Sequence, residues 1–197
     1  MLRRLVAPLV LFLALAPAAS AARVLVRVEG KTQTLFGPQY VAVNAMNALD
    51  ALDQASLAGE FYYHVTTTSF GPYVDQVGRY GGAASSGWVF KVDGASPPVG
   101  ADKVALKDGD TVLWYYADFG ANGGPPTLAL AARGGCYTVT ASDDNGKDAA
   151  VANVVLRVGP KTTIPVTLGK AICKVPKHRG LLVRATAPGA IRSNARA

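Results

Sequence analysis

Asn122-Gly-Gly-Pro-Pro126 is the feature that most limits what this chain can fold into. Glycine loosens the backbone there, and two successive prolines stiffen and extend it while removing amide donors. Neither a strand ladder nor a helix continues through such a stretch. Each side must therefore build a core of its own. The charges divide at the same place. Residues 22–122 hold seven Lys/Arg and ten Asp/Glu, net −3, and residues 123–197 hold 11 and three, net +8. Surfaces this different point to two domains, 22–122 and 127–197, joined by a linker at 123–126. Half of the 197 residues are hydrophobic, enough to fill two small cores.

The first 21 residues read as an address label. Two arginines follow Met1-Leu2, an uncharged apolar run covers 5–16, and Ala19-Ser-Ala21 offers small residues to a signal peptidase. This is the three-part secretory pattern, with cleavage expected between Ala21 and Ala22. A membrane span needs about 20 apolar residues, more than this run supplies. The mature chain is expected to carry no span and to be secreted, extracellular or held in the cell envelope.

In the first half, Arg23–Val28 is a β-branched run with strand chemistry. From Val41 to Ala55 the period changes. Val43, Met46, Leu49 and Leu52 recur at helical spacing, which predicts one amphipathic helix across a sheet. Glu60–Thr68, Gly71–Val77, Ser86–Val92 and Thr111–Tyr116 return to strand patterns, with an Asp93-Gly94 turn. The expected plan is mostly β: a β-grasp-like sheet with one helix, an α+β domain. The second half shows no helical period. Strands are expected at 127–132, 136–141, 150–158, 162–168 and 181–187, a spacing that predicts a small β-sandwich.

Several first-half segments, in order, resemble a known family. They are Asn47-Ala-Leu-Asp-Ala-Leu52, Phe70-Gly-Pro-Tyr-Val74, Ser86-Gly-Trp-Val-Phe-Lys-Val-Asp-Gly94, Val99-Gly-Ala-Asp102 and Leu106-Lys-Asp-Gly-Asp-Thr-Val112. Together they resemble bacterial domains of unknown function related to the C-terminal β-domain of transcobalamin and gastric intrinsic factor. Asp93 stands where that family usually has Asn. The resemblance runs from about 24 to 119 and implies a β-grasp-like fold without catalytic residues. In the cobalamin carriers this domain closes over a corrinoid held by a helical barrel. These residues contain no such barrel, so cobalamin enters by resemblance alone and no cofactor is expected. Trp88, Tyr115, Tyr116 and Phe119 fall where the family's ligand-facing residues would be, with Tyr73 and Tyr80 nearby. Aromatics of this kind suit a flat ligand, and they suit a core equally well.

Cys136 and Cys173 share one small exported domain, which predicts a disulfide. A nucleophilic cysteine served by His64 or His178 has no local support. Two cysteines and two histidines also leave little material for a metal cage. Asp143-Asp-Asn-Gly-Lys-Asp148 resembles the start of a calcium loop, but the glutamate such a loop needs at its twelfth position is Val154 here, so a solvated turn is expected. Asp102, Asp108 and Asp110 lie in turn sequences and do not suggest paired catalytic carboxylates. Lys170, Lys174, Lys177 and Arg179 form a basic stretch without acids. Export and the lack of interleaved aromatics argue against nucleic acid, leaving an anionic envelope polymer or a plain solvated loop. The expectation is a non-enzymatic binding module for a small ligand or surface partner. The alternative is a structural or adhesive envelope protein docked through its basic half. The opposite charges could also serve mutual docking of the two halves.

Overall fold

The computed structural model describes residues 21–120, 123–176 and 180–197. The expected signal segment, apart from Ala21 and Ala22 at its cleavage point, lies outside the described residues, as do Lys177 and Arg179. The first half contains β1 (Ala22–Glu29), β2 (Thr34–Ala45), α1 (Ala48–Gly59), β3 (Tyr63–Thr68), β4 (Gly71–Val77), β5 (Tyr80–Gly81), β6 (Ser86–Val92) and β7 (Thr111–Asp118). The second contains β8 (Thr127–Arg133), β9 (Cys136–Ser142), β10 (Val155–Val158), β11 (Thr162–Pro165), β12 (Ala171–Ile172), β13 (Val183–Thr186) and β14 (Ala195–Arg196).

The main sheet runs β2-β1-β7-β6, with β1 parallel to β7 and the other pairs antiparallel. One helix crosses it, which is the β-grasp plan. The inner face carries Val24, Val26, Val28, Val112, Trp114 and Trp88, all buried beneath Ala48, Ala51, Leu52 and Ala55 of α1. Trp114 fixes the contact by donating its indole N–H to Ala48 O at 2.9 Å. A small sheet, β3-β4-β5, lies alongside.

The helix begins later than its hydrophobic period predicts. Val41–Ala45 belongs to β2, where Val43 pairs with Val24 and Ala45 with Ala22. Asn47 is the N-cap, its side chain accepting from Asp50 N at 2.8 Å. The helix then runs on to a left-handed Glu60 at its C-terminus. No strand is expected between Val28 and Val41, yet Gly37-Pro38 lies inside β2. Those residues form a wide bulge. Register jumps from Val26–Val41 to Val28–Phe36, and both Gly37 and Tyr40 take positive φ. A Cβ at Gly37 would collide with the Val26 carbonyl, so only glycine allows this approach. The bulge sets the Tyr40 ring 5.2 Å from the Arg27 guanidinium.

The second half is the expected β-sandwich. A three-stranded sheet, β12-β9-β8, faces a four-stranded one, β11-β10-β13-β14. Leu128, Leu130, Tyr137 and Val139 of one meet Leu156, Val158, Val183 and Ala185 of the other. Strand β10 begins only at Val155, later than its apolar run suggests, and β12 and β14 are too short to show a period. Cys136 and Cys173 are bonded. The bond extends the β9–β12 pairing by one position beyond Ile172–Tyr137, so it clips a two-residue edge strand in place. Closing a loop of this length constrains the unfolded chain by roughly 4 kcal/mol, a large share of what a domain this small can hold. Cys136→Ser with Cys173→Ser should lower unfolding free energy by about that amount in urea titrations; an unchanged midpoint would show that the clip restrains nothing.

Candidate functional site

The outer face of the main sheet decides where the candidate site lies. Side chains alternate along a strand, so the residues between the core positions all face away from the helix. Cross-strand register aligns Lys91, Leu113 and Arg27 in one row and Val89, Tyr115 and Glu29 in the next. In an isolated domain this face would be wet. Here Arg27, Glu29 and Lys91 are each at most 1% exposed, because the second half covers them. Leu113, Tyr115 and Ala117 form an apolar strip against Ile191 between two ionic clasps.

At one clasp Lys91 Nζ lies 2.7 Å from Asp143 O and 3.3 Å from both Thr127 Oγ1 and Asp144 Oδ1. Burial pushes the Lys91 amine below its usual range, against the opposing pull of Asp144. Asp144 also accepts from Tyr115 Oη at 3.2 Å and from Gly124 N at 3.1 Å. The Tyr115 phenol is pushed well up, first by burial and then by that carboxylate. Asp143 closes the turn itself, accepting from Asn145 N and Lys147 N. The aspartate-rich segment is therefore a hairpin turn, as its sequence suggests, but Asp144, partly exposed, is also tied to Lys91, Tyr115 and Gly124. At the other clasp Glu29 receives Arg192 Nη2 at 2.8 Å and Nε at 3.1 Å, the Thr34 hydroxyl at 2.9 Å, and Arg27 and Arg184 at 3.5 and 3.6 Å.

Beside the lysine clasp, along β6, lies a cavity of about 360 Å³. Its walls include Tyr73, Trp88, Phe90, Pro97, Trp114, Tyr115 and Phe119, with Asp144 as the charged group. Strand β6 ends the main sheet. Phe119 N bonds Ser85 O, and Asp93 N bonds Thr111 O. Odd-numbered β6 residues thus face β7, and the backbone groups of Trp88 and Phe90 point off the open edge. Among the described residues no strand pairs with that edge. The cavity has an aromatic body and a rim of backbone donors and acceptors.

Of the four aromatics singled out from the sequence, Trp88, Tyr115 and Phe119 line this cavity. Trp88 is almost fully buried and donates its indole N–H to Tyr80 O at 2.8 Å. Phe119 is 44% exposed at the mouth. Tyr116 faces the helix side, bonds Ser86 Oγ at 2.7 Å, and borders a different cavity with Lys31 and Arg192. Tyr73 is a wall residue, whereas Tyr80 packs away from the cavity against Gly30 and Thr32. Lys170 and Lys174 are exposed on either side of the β12–disulfide segment. Asp108 accepts from Arg23 N and Asp110 from Lys107 N, both as turn residues, while Asp102 keeps one buried oxygen without a partner. Among the described residues no three His, Cys, Asp or Glu side chains gather closely enough to hold a metal, and no helix is long and apolar enough to cross a membrane.

Lys91, Glu29, Arg27, Arg184 and Arg192 stand in no site motif of the sequence, and Asp144 reads there only as part of a turn. The available signal was a charge inside an apolar strand run, as in Arg23–Glu29 and Trp88–Val92. Such a charge is affordable only where something pairs with it.

With the geometry in hand, the first half is a β-grasp domain. Its residues 42–118 match the family model described as a domain of unknown function, DUF4430. No curated protein matches the chain. Among solved structures, the chain is similar to a crystal structure of a candidate metal-binding protein from Ruminococcus gnavus ATCC 29149, at 16% identity and TM-score 0.39. That likeness covers 49% of this chain and 97% of the other.

Asp144→Asn would take the nearest counter-charge from buried Lys91 while leaving its bonds to Asp143 O and Thr127, and because the Asp144 side chain is itself 37% exposed the cost should be about 1–3 kcal/mol. The urea midpoint should fall accordingly. A loss below about 1 kcal/mol, the range of exposed pairs, would mean that the clasp is solvated.

Proposed function

We propose that this is an exported, non-catalytic binding protein that holds a small ligand with a flat apolar surface in the cavity along β6. The observation that supports this most is the cavity itself. It combines an aromatic lining, a volume within the range of small-molecule sites and a few fixed polar groups, the features of a pocket that binds by burial and orients by hydrogen bonds. The transcobalamin-like reading belongs here too. In that family the β-domain presents its ligand face to a cofactor, and a corrin is a large flat ring of the kind aromatics bind. This reading assigns the cavity neither a catalytic step nor a cofactor. Export is supported by the disulfide, which oxidising compartments favour, and by the N-terminal sequence pattern.

A second reading, an envelope protein docked on anionic polymer, draws on the net +8 of the second half. Part of that charge, on Arg184 and Arg192, is engaged with Glu29. The remaining exposed lysines, including Lys170 and Lys174, would carry such docking.

Trp88 and Trp114 both border the cavity, so a ligand entering it should change tryptophan emission. Titrating the mature chain with cyanocobalamin and with a panel of flat aromatic and sugar ligands should give saturable quenching for at least one. Phe119→Ala, at the exposed mouth, should weaken that ligand roughly tenfold, the loss expected for one stacked aromatic. Emission indifferent to every ligand, alongside salt-sensitive retention on isolated cell walls, would favour the envelope reading.

A further inference from the structure

A second groove, remote from the aromatic cavity, carries an unbalanced charge. It lies between β2 and the outer face of the β11-β10-β13-β14 sheet and has a volume of about 430 Å³. Thr34, Arg157, Arg184, Thr186 and Arg192 line it. Arg157 on β10 and Arg184 on β13 are direct cross-strand partners. Their side chains leave the same face of the sheet roughly 5 Å apart, a placement that is unfavourable for like charges without a counter-ion.

The available counter-charge falls short. Glu29 is the one carboxylate in the cluster among the described residues, and Arg27, Arg184 and Arg192 all converge on it. Those four groups alone sum to +2. Arg157 adds a further charge, is exposed, and makes no salt bridge among the described residues. The Arg184 guanidinium is shifted below its usual range by burial, and Arg27 and Arg192 add to that shift against the pull of Glu29. The groove wall holds no acidic side chain, two hydroxyls and no aromatic ring.

We propose that this groove binds a phosphate-type oxyanion, with Arg157 as its principal donor, Arg184 beside it as a fixed positive charge and Thr186 at its edge, while the Thr34 hydroxyl donates to Glu29 and accepts from Arg184. Guanidinium groups present forked donors that match phosphate oxygens in pairs. A phosphate carrying between one and two negative charges would offset much of the +3 that remains once Arg157 is counted with the other three arginines against Glu29. The absence of aromatic walls disfavours stacked bases, so the recognised element is the phosphate itself, free or as the monoester end of a larger molecule. The site uses neither Lys170 nor Lys174, and it does not depend on the aromatic cavity.

The test is calorimetric titration of the mature chain with inorganic phosphate at low chloride, followed by vesicles containing phosphatidic acid or only phosphatidylcholine. Wild type should bind phosphate at one site per chain. Arg157→Gln should weaken it roughly tenfold or more, the loss of one forked contact. Because Arg157 has no partner to lose among the described residues, this variant should melt at or above the wild-type temperature without phosphate, which separates lost binding from lost folding. Lys170→Gln with Lys174→Gln should bind phosphate as wild type does. Vesicle binding that phosphate displaces would identify a headgroup as the source, and phosphate binding without vesicle binding a soluble one; either outcome supports the site. Absence of saturable phosphate binding, or an Arg157→Gln variant that binds as wild type, would overturn it.

Discussion

Everything beyond the first core depends on how the outer face of the β2-β1-β7-β6 sheet is removed from water. That face carries Arg27, Glu29 and Lys91 beside Leu113, Tyr115 and Ala117. Burying charge is costly unless every charge finds a partner, and an apolar face of the same shape would be at least as stable. What paired charges add is position. An apolar strip alone would let the second half slide. A lysine that reaches Asp143 and Asp144 at one edge, and a glutamate that reaches Arg184 and Arg192 at the other, permit one register.

The aromatic cavity inherits this constraint. Most of its wall comes from β4, β6 and β7, but its charged group, Asp144, comes from the second half. The same carboxylate that neutralises Lys91 also takes the Tyr115 hydroxyl and the Gly124 amide. Docking therefore finishes the cavity. Without the second half, the cavity beside the open edge of β6 would lack its acid. The second half is thus more than a spacer, since its turn residues shape the surface that a ligand would meet.

The sequence was legible where local chemistry and tertiary packing agreed. Thr111–Tyr116 alternates, and Trp114 and Tyr116 do face the helix while Tyr115 faces away. The Asp93-Gly94 turn follows its dipeptide, both residues taking positive φ. The disulfide followed from two cysteines in one small unit. A bulged strand shows no clean period: β2 has no signal before Val41, and the run from Val43 lends strand residues to a helical spacing. The two clasps were illegible for a different reason. Their partners lie far apart in sequence, Glu29 from Arg192 and Lys91 from Asp144, and only the opposite net charges of the halves hinted at attraction. Of the aromatic set, three of four line one cavity because alternate β6 and β7 residues wrap a single open edge, while Tyr116 falls on the inner face.

The two halves fold as one unit through Glu29. Both tryptophans lie in the first half, so their fluorescence reports that half alone. Arg192 lies in the second. The most direct measurement is urea unfolding of residues 22–197 followed by tryptophan emission, compared with Arg192→Ala. A single transition is expected, its midpoint lowered by the equivalent of about 1.5–3 kcal/mol, the loss of charge-assisted hydrogen bonds to a buried carboxylate that Arg27 and Arg184 still face. A tryptophan transition unmoved by a substitution in the other half would contradict it.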